Sequence, residues 1–194
     1  MIDVPFIRQF LEEVEGKGIA RGYVPKDSKG EPLGASGVTV GTGVDLGQQS
    51  RASLAQMGVP QPLINRLGPY LGQKRREAMY ILAREPLTLT PEEVDMLDGI
   101  VHARYIDETA RLFGREAFEA APREAQAVAV SLHYQFGQPS RKDWPGLGNT
   151  WRNLQRGRYA EAAACLRDLS DWAPKHRVYR TRRNTEAALL EKIR

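Results

Sequence analysis

Hydrophobic positions divide this chain into a helical start, a short stretch without helical period, and a long helical remainder. Phe6, Ile7, Phe10, Leu11 and Val14 recur at helical spacing and predict a helix over about 4–15. Asp3 and Pro5 give it a start signal, and Gly16 and Gly18 a stop. Over 18–48 the helical period disappears. Tyr23-Val24 and Val38-Thr39-Val40 read as short strands, with Lys26-Asp-Ser-Lys-Gly30 as a turn, so a small hairpin or three-stranded sheet is expected. From Ser50 the pattern is helical again, with segments at about 50–57, 61–71 and 73–84. Thr90-Pro-Glu-Glu93 combines an N-cap, a first-turn proline and a capping-box glutamate, opening a helix that runs to about Phe113. Further helices are predicted at about 122–136, 149–156, 158–168 and 175–192.

A helix, a small β-region and a helical bundle predict an α+β protein with a cleft between two lobes. With 194 residues, the chain is expected to form one domain over 1–194. The β-rich lobe covers about 18–48, and the helical lobe about 50–194 together with the first helix.

Composition changes this picture little. A hydrophobic content of 41% suffices for a core at this length. The single Cys165, in Ala162-Ala-Ala-Cys-Leu166, excludes an internal disulfide framework and reads as a small core position. The start, Met1-Ile-Asp-Val-Pro-Phe-Ile-Arg, lacks the basic and apolar regions of a signal peptide. No run approaches the roughly 20 apolar residues of a membrane span. The expectation is a protein made in the cytoplasm.

Charge adds one feature. Residues 174–194 hold seven Lys/Arg (Lys175, Arg177, Arg180, Arg182, Arg183, Lys192, Arg194) against Glu186 and Glu191, so the tail is +5 within a net +4. Such a tail is either a solvated helix face or a contact for an anionic partner: nucleic acid, lipid headgroups or an anionic wall. Val178, Leu189, Leu190 and Ile193 equally offer it a way to dock into the bundle.

The candidate chemistry lies in Glu15 and in Ser36-Gly-Val-Thr-Val-Gly-Thr-Gly-Val-Asp-Leu-Gly47. Glycosidic cleavage needs a proton donor and a second group that handles water or the sugar cation. Glu15 closes the first helix, where the dipole disfavours negative charge. Glu12 lies opposite the apolar face, Glu13 and Glu15 flank it, and Gly16 favours Glu15 by opening the helix end. Thr39 and Asp45 are six apart, which along one strand places both on the same face. A hydroxyl and a carboxylate together can orient a water molecule. A rival reading takes Gly41-Thr-Gly-Val-Asp-Leu-Gly47 as a phosphate-cradling loop, but its third glycine is misplaced and no βαβ pattern surrounds it. His102, His133 and His176 lack metal-ligand spacing. Trp144, Trp151 and Trp172 are assigned to the core rather than to sugar stacking.

At Glu15-Gly16, Thr39-Val-Gly-Thr-Gly43 and Asp45 the chain resembles the phage-type lysozymes, most closely their pesticin-like branch. His133-Tyr-Gln-Phe-Gly137, Asn149–Gln155, Arg158–Ala163, and Asp171-Trp172 with Arg180–Arg183 extend the resemblance over nearly the whole chain. It implies a lysozyme-like fold and a muramidase that cuts the β-1,4 bond between N-acetylmuramic acid and N-acetylglucosamine. It implies Glu15 as the acid, Thr39 and Asp45 as holders of the water, and Gln135 as a cleft-lining substrate contact. In the better-known phage branch the aspartate precedes the threonine, in a turn like Lys26-Asp27-Ser28, so Asp27 competes with Asp45; Asp45 is preferred because turn aspartates usually face solvent. No cofactor and no metal is implied. Peptidoglycan is the expected partner, reached in the periplasm by a monomer. Docking of the last helix is favoured over contact of the basic tail with lipopolysaccharide or membrane, and nucleic acid is not expected. A phage endolysin acting on a Gram-negative wall is the expected role, with a bacteriocin or secretion-system toxin domain, or a non-catalytic wall-binding protein, as alternatives.

Overall fold

In the computed structural model, residues 1–16, 18–137, 145–172 and 177–193 are described. Trp144, Lys175, His176 and Arg194 lie outside them, as do the side chains of Trp172, Arg177 and Val178. The fold is α+β, with ten helices and a three-stranded antiparallel sheet among the described residues. Contacts divide the chain into two compact units, Glu15–Arg104 and Met1–Val14 with Tyr105–Arg194. The helices over 51–104, which sequence periodicity groups with the bundle, thus share a unit with the strands.

The unit Glu15–Arg104 is built on β1 (Ile19–Tyr23), β2 (Thr39–Gly41) and β3 (Val44–Asp45) in the order β1-β2-β3. The outer edge of β1 is covered by residues 87–89. Gly22 N–H donates to Leu87 O (2.9 Å), and Leu89 N–H to Ala20 O (2.9 Å). The helices are α2 (Arg51–Gln56), α3 (Gln61–Leu67), α4 (Arg75–Arg84) and the first part of α5 (Pro91–Phe113). Val38, Val40, Leu46, Leu54, Ile64, Leu67 and Leu97 form its buried interior. The capping box at α5 forms as its sequence predicts: Thr90 N–H donates to Glu93 Oε2 (2.8 Å) and Glu93 N–H to Thr90 Oγ1 (3.2 Å).

The other unit contains α1 (Val4–Glu15) up to Val14, the end of α5, and α6 (Arg115–Ala120), α7 (Arg123–Phe136), α8 (Pro145–Gln155), α9 (Tyr159–Trp172) and α10 (Arg177–Leu190). α1 starts where Asp3 Oδ1 accepts the Phe6 N–H (3.1 Å). α7 is the most enclosed helix, burying Ala125, Ala127, Val128, Ala129, Val130 and Leu132. Trp151 is a core residue, edge-on to Phe113 at 5.5 Å between ring centroids. Cys165 is half-buried on α9, with Asn153 Nδ2 at 3.7 Å from its sulfur. α6 has no counterpart in the sequence reading: it is six residues long, follows Gly114 at φ 95°, and buries one large side chain, Phe118.

α10 packs on α9 and α7 and buries Ala187, Leu189 and Leu190. Part of the basic tail is therefore not a solvated face. Arg182 and Arg183 are buried beside Glu186, which is fully enclosed. Glu186 Oε1 accepts from Arg183 Nη2 (2.7 Å), Arg182 Nε (3.4 Å) and Ser131 Oγ (2.5 Å). Two cations and one carboxylate can be buried together only because the hydrogen bonds between them offset desolvation. Among the described residues, no helix is long and apolar enough to cross a membrane.

Candidate active site

The segment Ser36–Gly47 forms the β2–β3 hairpin and its flanks. Thr39 pairs with Asp45 and Val40 with Val44. The expected proximity of Thr39 and Asp45 is present, but not by parity along one strand. The chain reverses at Gly41-Thr-Gly43, with φ of 60° at Gly41 and 89° at Gly43, so the two residues face each other across the hairpin. Directly opposed residues in an antiparallel pair point to the same face, with Cβ atoms roughly 4.5–5.5 Å apart.

The hairpin tip is pinned to α5. Both carboxylate oxygens of Asp98 accept the Thr42 N–H (3.0 and 3.1 Å), and Thr42 Oγ1 lies 2.8 Å from His102 Nε2. Asp98 and His102 are four residues apart and share a helix face. Gly41 is needed for contact as well as conformation, because a Cβ there would lie 2.1 Å from Asp98 Oδ1. This arrangement does not make the phosphate-cradling loop considered above: its tip N–H already bonds a carboxylate, and a strand rather than a helix follows it.

Asp45 is fixed by the two glycines that flank the segment. Its Oδ1 accepts the N–H groups of Gly37 (3.0 Å) and Gly47 (2.8 Å). These glycines touch through their backbones: a Cβ on Gly37 would lie 2.5 Å from both Gly47 Cα and Gln73 O. Only glycine permits that approach, and the approach aims both N–H groups at one oxygen. Thr39 is buried, and its hydroxyl donates to Gly37 O (3.4 Å), which leaves its oxygen able to accept.

Glu15 is the last residue of α1 and is half-buried, whereas Glu12 and Glu13 are exposed. Tyr23 on β1 connects it to the hairpin. Tyr23 pairs with Thr39, which pairs with Asp45, so the three form one row across the sheet. Burial pushes the Tyr23 phenol up from its ordinary value, and the negative charges of Glu15 and of Asp45 push in the same direction. Both carboxylates thus act on one phenol.

Asp27, the competing aspartate, is exposed and engaged in its own turn. Its Oδ1 accepts from the Lys29 N–H (2.8 Å) and the Glu31 N–H (3.0 Å), beneath a Lys26–Pro32 bridge. Gln135 belongs to the other unit, where its Oε1 accepts from Arg183 Nη2 (2.7 Å). His102 is bonded to Thr42, and His133 Nδ1 lies 2.9 Å from Thr109 Oγ1. Among the described residues no three His, Cys, Asp or Glu side chains gather as a metal site would require.

The sequence pattern shows Tyr23 only as a strand residue and does not single out Asp98. Asp98 sits 56 residues from Thr42, and only its i,i+4 spacing with His102 on a predicted helix marked it.

Comparison with curated protein sequences gives no match. A family model described as "Pesticin: Bacterial toxin homologue of phage lysozyme, C-term" matches residues 2–160, and the chain belongs to this family of lysozyme homologues.

Proposed function

We propose that this protein is a peptidoglycan muramidase that hydrolyses the β-1,4 bond between N-acetylmuramic acid and N-acetylglucosamine with inversion at the anomeric carbon. The observation that carries this reading is the pairing of Thr39 with Asp45 across the hairpin, in the same unit as the half-buried Glu15 that closes α1. Membership of a family of lysozyme homologues supports it.

In this reading Glu15, at the negative end of α1, protonates the glycosidic oxygen as the bond to the anomeric carbon breaks. A water molecule lies between Asp45 and Thr39. Asp45 Oδ1 is committed to the two glycine N–H groups, so Oδ2 accepts one water proton. The Thr39 hydroxyl donates to Gly37 O and accepts the other water proton. Both water hydrogens are then held, and an oxygen lone pair points at the sugar. Asp45 takes the proton as the water attacks the face opposite the leaving group, which inverts the configuration.

The test is lysis of purified peptidoglycan by the wild type and by Glu15→Gln. Loss of general-acid catalysis costs about 10²–10⁴ in rate. A folded Glu15→Gln variant with most of the wild-type rate removes this assignment.

Host lysis by a phage endolysin is the reading we favour; the word "toxin" in the family description supports a delivered toxin domain as the second. A neighbouring holin gene indicates the first, and an immunity gene the second. Arg182 and Arg183 are buried and paired, so among the described residues an anionic wall or membrane surface would meet the exposed Arg180 and Lys192 of the tail.

A further inference from the structure

Tyr23 has no part in the hydrolysis described above, yet it closes one end of the row that holds Thr39 and Asp45. It is the β1 member of the row Tyr23–Thr39–Asp45, and both Glu15 and Asp45 act on its phenol. Its partner Thr39 is buried, but Tyr23 is 37% exposed. The strand is also irregular where it delivers this residue. Between the pairs Ile19–Gly41 and Tyr23–Thr39, β1 advances four residues while β2 advances two. A bulge of this kind bends the strand and re-aims the side chain that follows it.

A partly exposed ring on the row that carries Thr39 and Asp45 suits one class of ligand. A pyranose has a flat face of C–H groups and an edge of hydroxyls. A tyrosine ring offers an apolar plane, and its hydroxyl a hydrogen-bond donor at the tip. Ionised, the phenol would lose its donor and repel the carboxylates. Burial first, and then the negative charges of Glu15 and Asp45, oppose that ionisation, so Tyr23 stays a neutral donor through the neutral pH range.

We propose that Tyr23 is a sugar-contacting residue at the point of cleavage, its ring seating the C–H face of an N-acetylhexosamine and its O–H donating to a sugar oxygen between Glu15 and Asp45. The inference rests on the muramidase reading for the identity of the sugar, but sugar binding tests it without turnover.

The experiment measures binding of tri-N-acetylchitotriose by titration calorimetry to the wild type, Tyr23→Phe and Tyr23→Leu, alongside lysis of purified peptidoglycan. Tyr23→Leu keeps an apolar side chain and loses both ring and donor; binding is expected to weaken at least tenfold. Tyr23→Phe keeps the ring and is expected to weaken binding three- to fivefold, with the loss in lysis appearing in KM more than in kcat. A purely structural role would lower the melting temperature of Tyr23→Leu without this graded order. If Tyr23→Leu does not fold, Tyr23→Phe alone decides: unchanged binding and unchanged KM overturn the proposal. Wild-type binding that both variants retain removes the role of Tyr23 and leaves the muramidase reading in place. A wild type that binds the trisaccharide through Tyr23 but leaves peptidoglycan intact removes the muramidase reading and supports the role of Tyr23. No binding by the folded wild type overturns the proposal.

Discussion

Gly37→Ala tests whether glycine contact sets the position of Asp45. A methyl group at residue 37 would meet Gly47 Cα and Gln73 O at 2.5 Å, and both are groups that cannot rotate away. The 36–38 segment must then move from the 46–48 turn by the better part of an ångström. Overpacking of this kind costs about 1–3 kcal/mol. The same movement stretches the 3.0 Å bond from Gly37 N–H to Asp45 Oδ1, and a bond to a charged group is worth about 1.5–3 kcal/mol. With part of that bond lost, the total is about 2–4 kcal/mol. At about 2–4 °C per kcal/mol for a chain of this size, the melting temperature should fall by roughly 5–15 °C. A misplacement of about 1 Å costs on the order of 10²-fold in rate. Differential scanning calorimetry and peptidoglycan turbidity at 25 °C measure the two effects. Asp45→Asn is the companion variant. Its amide oxygen still accepts both N–H groups, so it should lose lysis with a smaller loss of melting temperature. A Gly37→Ala variant that melts within a degree of the wild type and lyses at the wild-type rate refutes the reasoning.

Three further outcomes are expected. Glu186→Ala leaves Arg182 and Arg183 buried without their shared carboxylate, so thermal unfolding should show a loss of about 3–5 kcal/mol; an unchanged melting curve contradicts the buried cluster. Asp27→Ala removes the acceptor of two turn N–H groups and should cost about 1–2 kcal/mol while lysis persists, and a loss of lysis as large as that of Asp45→Asn would transfer the catalytic role to Asp27. Burial pushes His133 below its ordinary value of 6.5, with Glu108 partly opposing, so the unfolded chain binds this proton more readily. Its contribution is present above about pH 6.5 and is lost as pH falls toward the folded value. Melting temperature should therefore decline more steeply below pH 6.5 in the wild type than in His133→Gln, and parallel profiles would refute this.

Local signals in the sequence located the elements well and the contacts between them poorly. α1 was legible to its ends because Asp3 caps it, Gly16 stops it, and Phe6, Ile7, Phe10 and Leu11 give it one apolar face. The capping box at Thr90 is likewise a four-residue signal with a local cause. The pairing of Thr39 with Asp45 was legible, but its geometry was not. Strand parity and a two-glycine reversal both bring residues six apart to one face, and only the φ values of Gly41 and Gly43 separate the two routes. The anchoring of Thr42 by Asp98 and His102 spans 56 and 60 residues, and its one local mark is the i,i+4 spacing of those two residues. Tyr23 read as one strand residue among several, because its prominence comes from a bulge and from charges on other elements. In the tail, the spacing of Arg182 and Arg183 to Glu186 was visible, but their burial depends on how α10 packs against α7 and α9.

The central claim is that Glu15, Thr39 and Asp45 form a glycosidase site that cuts after N-acetylmuramic acid. It is tested most directly by digesting purified peptidoglycan, reducing the products with borohydride and identifying the new ends by mass spectrometry. The account predicts muramitol ends from the wild type and essentially none from Glu15→Gln or Asp45→Asn in the same time. Glucosaminitol ends, or muramitol released by folded Glu15→Gln at the wild-type rate, would contradict it.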